Sequence, residues 1–403
     1  MIGVSIVRLL ICAGGTGGGV YPALAVLQTL QRLESRSEPG NQPRASAPGM
    51  VEGPLRLDEL WIGGVGGMEA ELVKRAGVPF EAIPAAGVHG VGLRALPGNL
   101  WKLFQGFLRA RRLIQGFQPD VMLFTGGFLA VPVALAGRLG IGISHRPRSL
   151  LYVPDIEPGL ALKTLARFAS RIAVTVAESR EYFRAHHDVV VTGYPIRPEL
   201  QRLESAQARQ AFGLAADLPT LLVLGGSKGA RSINRAVLGA LPELLDGIQI
   251  LHVTGQLDWS EVEGARAKLM ESSSPQLMSH YRIYPYLHEE MGAAFSAADL
   301  VLSRAGASTL GELPFFGLPA ILVPYPHAWR YQQVNAQYLA ERGAAEIIQD
   351  ADLTTQLLPA VKRLMADKAL LDSMRTSMRS LSKPDAGSDI ANQVLSLAMA
   401  TRR

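Results

Sequence analysis

Residues 11–26 read ICAGGTGGGVYPALAV, five glycines in six positions followed by a helix-like run. Glycines at a helix mouth let main-chain N–H groups reach an oxyanion with no side chain in the way, and the helix dipole favours the negative charge. The chemistry on offer is anion binding, phosphate above all. Residues 221–237, LLVLGGSKGARSINRAV, repeat the theme and set the Ser227 hydroxyl and the Lys228 ammonium beside Gly225, Gly226 and Gly229. Neither loop is a familiar phosphate motif. A GxGxxG reading from Gly15 needs glycine at position 20, where Val20 stands, and neither Gly-Lys-Ser nor Gly-Lys-Thr occurs. A plain strand-to-helix turn accounts for one such loop, with Ser227 as an N-cap and Lys228 in solvent. Two of them, each opening a repeat, point to a phosphate-bearing ligand.

A third cluster spans residues 303–336, SRAGASTLGELPFFGLPAILVPYPHAWRYQQVNA. An apolar run delivers the chain into Gly306, Ala307, Ser308 and Thr309, and a short helix carries Glu312. A carboxylate there suits the two hydroxyls of a ribose, the role an acidic residue plays in dinucleotide folds. Thr309 and Glu312 are also spaced as a capping box, in which Glu312 would only close its own helix. Pro314 limits that helix to a few residues. Gln332 and Asn335, three apart, share a helical face and suit sugar hydroxyls. The Asp350-Ala351-Asp352 run looks like a metal-binding DxD, but Asp352 precedes LTTQLLPAVKRL and reads as that helix's cap. No metal or other cofactor is expected.

These loops need scaffolds. Short apolar runs (RLLICA, ELWIGG, VMLFTG, SLLYV, RIAVTV, DVVVTG, then TLLVLGG, IQILHVTG, YRIYPY, LVLSRAG, AILVPY) alternate with longer amphipathic ones. That alternation predicts parallel sheets with helices on both faces. At 403 residues the chain exceeds one core, and the pattern restarts at Leu221 after the proline-bearing residues 193–200. The expectation is α/β: two Rossmann-like, doubly wound domains facing a cleft, 1–194 and 195–384, with ligands beyond the carboxyl ends of the strands. Cys12, the single cysteine, sits in an apolar run and reads as a buried thiol, which fits a reducing compartment. A net charge of +5 permits anionic partners. The basic residues are dispersed and no nucleic-acid module is recognisable, so nucleic acid is not among them. Residues 121–143 are long enough to span a bilayer, but Gly126, Gly127, Pro132 and Arg138 divide them into a strand, a turn and a short helix. Residues 35–58, rich in Pro, Gly and Ser, read as a mobile surface insertion.

Taken in order, Gly14-Gly15-Thr16-Gly17-Gly18, Gly126-Gly127-Phe128, Thr192-Gly193-Tyr194-Pro195-Ile196-Arg197, Gly225-Gly226-Ser227, residues 303–312 and Gln332-x-x-Asn335-Ala336 resemble the MurG family of peptidoglycan glycosyltransferases over nearly the whole chain. The resemblance implies a GT-B fold and transfer of N-acetylglucosamine from its UDP donor to an undecaprenyl-pyrophosphoryl-N-acetylmuramyl-pentapeptide acceptor. It implies that Ser227 meets the donor pyrophosphate, Leu287 offers main-chain contacts to uracil, and Ala307, Ser308, Thr309, Leu310, Gly311 and Glu312 cradle phosphate and ribose. Gln332 and Asn335 would face the sugar, and Arg197 would stand near the donor. From the first domain Thr16, Gly17, Gly18 and Asp155 would complete the set, with Gly14, Gly15, Gly126 and Gly127 forming acceptor-phosphate loops. A helix near 385–403 would return to the first domain.

The chain departs from that family where the base belongs. Gly19 replaces the family's histidine, and Tyr152-Val153-Pro154-Asp155 replaces its His-Glu-Gln-Asn. Asp155 is the candidate base, and His89 a weaker one. Those departures leave room for another UDP-sugar or lipid acceptor, or for a catalytically weak nucleotide-sugar-binding subunit. Residues 100–117, LWKLFQGFLRARRLIQGF, set surplus aromatics beside Lys102, Arg109, Arg111 and Arg112. Most of that apolar face is expected to pack on the sheet, and the remainder suits an anionic membrane surface. Location at the cytoplasmic face of the bacterial membrane follows as an expectation.

Overall fold

Runs of Leu, Ile and Val with no polar alternation become strands covered on both faces. In the computed structural model, which describes residues 5–14, 17–37, 54–67, 69–86, 94, 96–186, 188–226, 229–272, 274–327 and 330–401, the chain divides into two units. One comprises Met1–Arg197 with Pro384–Arg403, the other Pro198–Lys383.

The first unit holds seven strands: β1 (Ser5–Cys12), β2 (Leu55–Gly64), β3 (Phe80–Ile83), β4 (Val121–Phe124), β5 (Arg148–Val153), β6 (Arg171–Val174) and β7 (Val189–Val191). They pair in the order β3-β2-β1-β4-β5-β6-β7, all parallel. Successive residues of β1 serve opposite faces. Leu9 and Ile11 pack with Leu27 and Leu30 of the helix Gly17–Ser37 and with Ile390 and Val394 of the helix Ala386–Thr401. Leu10 and Cys12 pack with Ala110, Ile114 and Val133 on the other side. Cys12 is fully buried, and burial, helped by the charge of Glu69, pushes its thiol well above the ordinary range. It is a core residue.

The second unit holds β8 (Thr220–Leu224), β9 (Gln249–Val253), β10 (Tyr281–Tyr284), β11 (Leu300–Ser303), β12 (Ala320–Leu322) and β13 (Ala345–Ile347). Their order is β10-β9-β8-β11-β12-β13, again all parallel.

Three sequence readings are corrected or refined. The segment 35–58 is not wholly an insertion: Ser35 to Ser37 finish the first helix, Leu55 to Asp58 begin β2, and residues 38–53 lie outside the described set. The helix Leu96–Phe117 packs the apolar residues of its second half on the core, with Ile114 buried and Phe107, Leu113 and Phe117 partly so, and leaves most of those in its first half in solvent. Its buried residues are Gly106, Ala110 and Ile114, whereas Leu100, Trp101, Phe104 and Leu108 are exposed. A Cβ on Gly106 would lie 2.3 Å from the Pro84 carbonyl oxygen, so a close backbone approach adds to the packing of Phe107, Leu113, Ile114 and Phe117. Asp352 occupies the N-cap position of the helix Leu353–Ala366, but its side chain makes no capping hydrogen bond.

Candidate functional site

In both sheets the strand order reverses direction once, between β1 and β4 and between β8 and β11. At such a switch point the two outgoing turns diverge and leave a crevice at the carboxyl edge. The turns after β1, β4 and β8 carry the glycine clusters, and the turn after β11 carries Gly306.

After β4, Gly126 and Gly127 have φ of 128° and 89°, a region that only glycine enters freely. A Cβ on Gly127 would stand 2.9 Å from the Gly14 carbonyl oxygen, so the turns after β1 and β4 are packed back to back. The Trp61 indole N–H donates to the Ala13 carbonyl at 3.0 Å. Beneath this pair lies a residue the sequence reading missed. Glu69, 1% exposed, accepts the Gly64 N–H at 2.8 Å, and a Cβ on Gly14 would meet its Oε1 at 2.5 Å. The paired glycines Gly63, Gly64, Gly66 and Gly67 just ahead of Glu69 were the available signal.

The helix Gly17–Ser37 starts with Gly17 and Gly18 and carries no acidic residue of its own in its first turn, where the dipole favours an anion. The Arg197 guanidinium stacks over Tyr21 of this helix, 4.7 Å from the ring centre. Gly19 is held by Thr125, whose hydroxyl donates to the Gly19 carbonyl at 2.7 Å. A Cβ at Gly19 would lie 3.3 Å from the Thr125 carbonyl oxygen, a tight fit for the histidine that the resemblance places there. Tyr152 is fully buried; its hydroxyl lies 2.9 Å from the Thr175 hydroxyl and donates to the Gly193 carbonyl at 3.1 Å. Burial holds that phenol far above its usual range, with the Asp155 charge adding to the effect. Asp155 follows β5 at the carboxyl edge and is half-buried. Gly15, Thr16, His89, Ser227 and Lys228 lie outside the described residues.

In the second unit the turn after β8 is built on three glycines. A Cβ on Gly225 would fall 2.2 Å from the Ala230 nitrogen. Gly226 and Gly229 have φ of 80° and 82°, and a Cβ on Gly229 would meet the Thr254 carbonyl oxygen at 2.5 Å. That carbonyl also accepts from the Asn234 side chain at 2.9 Å. Asn234 donates to Asp258 at 3.1 Å, and its oxygen lies 2.9 Å from His252 Nε2. His252 Nδ1 in turn lies 2.8 Å from the Tyr281 hydroxyl. A buried polar chain thus fixes the floor of the glycine turn.

Burial lowers His252 from its ordinary 6.5 to about 3. The unfolded chain binds this proton below about pH 6.5 and the folded chain does not. The associated stability is present above pH 6.5 and is lost as pH falls toward 3, at up to ~1.4 kcal/mol per pH unit. In urea unfolding between pH 7 and 4, His252→Gln is expected to flatten the pH dependence by about one proton. An unchanged slope overturns the assignment.

After β11, Arg304 donates from Nη1 to Asp350 at 2.5 Å and from Nη2 to the Ser232 hydroxyl at 2.7 Å; that hydroxyl donates to Asp350 at 2.7 Å. Asp350 is thereby committed to a structural ion pair. Ala307–Leu310 forms a 3-10 turn, and the Thr309 hydroxyl donates to the Gly306 carbonyl at 2.6 Å. No capping box forms, because Gly311 holds the N-cap position of the helix Glu312–Phe316. Glu312 is half-buried at the start of that helix. Leu287 lies three residues beyond the carboxyl end of β10, with its side chain buried. Gln332 accepts the Tyr325 N–H at 2.8 Å. Asn335 differs from the sequence reading: it is wholly buried and donates to the Ala305 carbonyl at 3.1 Å, so it steadies the turn instead of facing a sugar.

Comparison with known proteins gives one consistent picture. Residues 54–174 match the glycosyltransferase family 28 N-terminal domain and residues 220–390 its C-terminal domain. A protein of Roseiflexus sp. (strain RS-1) is 39% identical, over 96% of this chain and 94% of its own. One of Listeria monocytogenes serovar 1/2a is 34% identical, over 97% and 99%. Both are named UDP-N-acetylglucosamine–N-acetylmuramyl-(pentapeptide) pyrophosphoryl-undecaprenol N-acetylglucosamine transferase. The crystal structure of Acinetobacter baumannii MurG superposes with a TM-score of 0.71 at 26% identity, covering 97% of this chain and 99% of that one. The UDP-GlcNAc 2-epimerase of Neisseria meningitidis, bound to UDP-GlcNAc, shares the fold at 11% identity, with a TM-score of 0.63 and coverage of 96% and 100%.

Proposed function

We infer the reaction from one premise: the chain belongs to glycosyltransferase family 28 and, within it, to the UDP-N-acetylglucosamine–N-acetylmuramyl-(pentapeptide) pyrophosphoryl-undecaprenol N-acetylglucosamine transferases. It is a hexosyltransferase that moves N-acetylglucosamine from UDP-N-acetylglucosamine to the 4-hydroxyl of the lipid-linked N-acetylmuramyl-pentapeptide, converting lipid I to lipid II in peptidoglycan synthesis. The observation that carries this reading into the structure is the coincidence of glycine turns with the switch point of each sheet.

The donor's pyrophosphate sits at the turn after β8, against the amino end of the helix Arg231–Gly239. Its ribose lies on Glu312, and uracil lies beside the main chain at Leu287. Departure of UDP leaves new negative charge on the β-phosphate, which preorganised main-chain amides and the helix dipole stabilise. The reaction so written uses no metal, and Asp350 is engaged by Arg304 and Ser232. The acceptor's pyrophosphate sits at the open end of the helix Gly17–Ser37, near Arg197. Asp155 takes the proton from the attacking hydroxyl, which enters opposite the leaving group and inverts the anomeric centre.

Charge-assisted hydrogen bonds are worth about 1.5–3 kcal/mol. Glu312→Ala is therefore expected to weaken UDP-N-acetylglucosamine binding by about 10–100-fold in calorimetry. Unaltered affinity removes Glu312 from the ribose. Turnover of a lipid I analogue by the wild-type chain tests the activity itself, and its absence overturns the reading.

The acceptor is membrane-bound, and the exposed face of the helix Leu96–Phe117 suits the membrane surface. Trp101 and Phe104, 59% and 49% exposed, lie with ring centres 5.6 Å apart; Lys102 and Arg112 are exposed beside them, as is Arg109, which pairs with Glu81 at 3.1 Å. Among the described residues no helix is long and apolar enough to cross a membrane. Peripheral attachment to anionic lipid at the cytoplasmic leaflet follows, each basic residue adding about 1 kcal/mol. Replacing Arg109, Arg111 and Arg112 by Glu is expected to lower co-sedimentation with anionic liposomes at least tenfold. Unchanged pelleting overturns the attachment.

A further inference from the structure

A cavity of about 350 Å³ opens at the amino ends of β5 and β6, the edge of the first sheet opposite its glycine turns. Four of its lining residues are arginines, Arg138, Arg146, Arg148 and Arg167, and none is acidic. Among the described residues, none of the four guanidinium groups has a carboxylate or hydrogen-bond partner. The polar groups between them are already used: the Ser149 hydroxyl donates to the Phe168 carbonyl at 3.1 Å, and the Ser170 hydroxyl accepts the Ser149 N–H at 3.0 Å. Asp120, adjacent in the sheet, accepts the Arg8 N–H at 2.8 Å and lies 3.5 Å from His145.

A simpler account covers half of this cluster. Arg138 lies in the last turn of the helix Ala130–Leu139 and Arg167 at the C-cap of Leu160–Ala166, where cations complement the helix dipole. Arg146 and Arg148 have no such role. All four arginines are exposed and line one space, where a multiply charged oxyanion would match their paired donors. The volume lies at the low end for small-ligand sites, suited to a phosphate or diphosphate group with a short attachment.

We propose that this arginine-lined cavity is a second anion site, which takes a phosphate monoester or diester away from the nucleotide-sugar reaction. β5 is six residues long, which separates the two edges by roughly 20 Å. The phosphate belongs either to a lipid headgroup, with exposed Leu135, Leu139 and Ile141 alongside, or to a soluble phosphorylated compound.

The test titrates the full chain, saturated with UDP, with inorganic pyrophosphate. Arg146→Glu combined with Arg148→Glu is expected to weaken pyrophosphate binding at least tenfold, with UDP affinity within twofold as the measure of an intact fold. Arg167→Ala, a milder change, gives a smaller loss in the same direction. A charge-matched control, Arg184→Glu with Lys362→Glu, leaves pyrophosphate binding in place. Co-sedimentation with phosphatidylglycerol vesicles separates the sources: pelleting that falls in the cavity variant assigns a headgroup, and pelleting that holds while pyrophosphate binding falls assigns a soluble ligand. Pyrophosphate binding and pelleting both unchanged in the cavity variant, or lost equally in the control, overturn the site.

Discussion

Asp155→Asn lowers turnover by about 10²–10⁴ and leaves the affinity for UDP-N-acetylglucosamine unaltered. Asparagine keeps the shape and hydrogen-bonding capacity of the side chain but cannot accept a proton. Tyr152, which stands where the resemblance has a histidine, cannot take over: burial holds its phenol protonated, and its hydroxyl is engaged with Thr175 and Gly193. Two carboxylates follow β5: Glu157 is buried and lies 3.8 Å from the Lys163 ammonium, whereas Asp155 is half-buried and nearer the strand end. The measurement is kcat with a lipid I analogue at saturating donor, alongside calorimetry with the donor alone. A kcat within threefold of wild type removes Asp155 from the chemistry, and a parallel loss of donor affinity makes it a binding residue.

Gly225→Ala is expected to weaken UDP binding by about 10–100-fold and to lower the unfolding temperature by several degrees. The added methyl would stand 2.2 Å from the Ala230 nitrogen and 2.5 Å from the Gly229 carbonyl carbon, and both are backbone atoms that cannot rotate away. The turn must therefore move, and with it the main chain proposed to hold the donor pyrophosphate. Gly239→Ala serves as the control. It lies in the helix that this turn opens, and a Cβ there meets nothing within 4 Å. That change is expected to be neutral or to stabilise by up to about 1 kcal/mol. Equal effects from both substitutions would refute the steric argument.

The strands that carry the site were legible because both of their faces are covered. RLLICA, VMLFTG, TLLVLGG and LVLSRAG are unbroken apolar runs, and they became β1, β4, β8 and β11, the strands at the two switch points. β3 and β13 were missed. Each lies at a sheet edge, is three or four residues long and includes a glutamate, so neither period nor length marks it. Glycine turns were legible because φ and close approach restrict those positions to one residue type. Carboxamides and carboxylates were harder, since spacing shows which residues share a face but not whether that face meets protein or solvent. Asn335 was read as outward and is buried, while Glu69 was not singled out and lies beneath the first turn. On the helix Leu96–Phe117 the same ambiguity divides one apolar face, because Phe107, Leu113, Ile114 and Phe117 meet the core while Leu100, Trp101, Phe104 and Leu108 meet solvent.

The helix Ala386–Thr401 closes one face of the first sheet, yet the ribosome makes it only after the 186 residues of Pro198–Lys383. At about 5–20 residues per second that interval is roughly 10–40 s. Throughout it, the surfaces of β1 and of the helix Gly17–Ser37 that await Ile390 and Val394 stay uncovered on the nascent chain. The second unit, continuous in sequence, can complete its own core in the meantime. Order of manufacture and order of folding are thus inverted: the half begun first is finished last, and its open face is the one a chaperone must shield during translation.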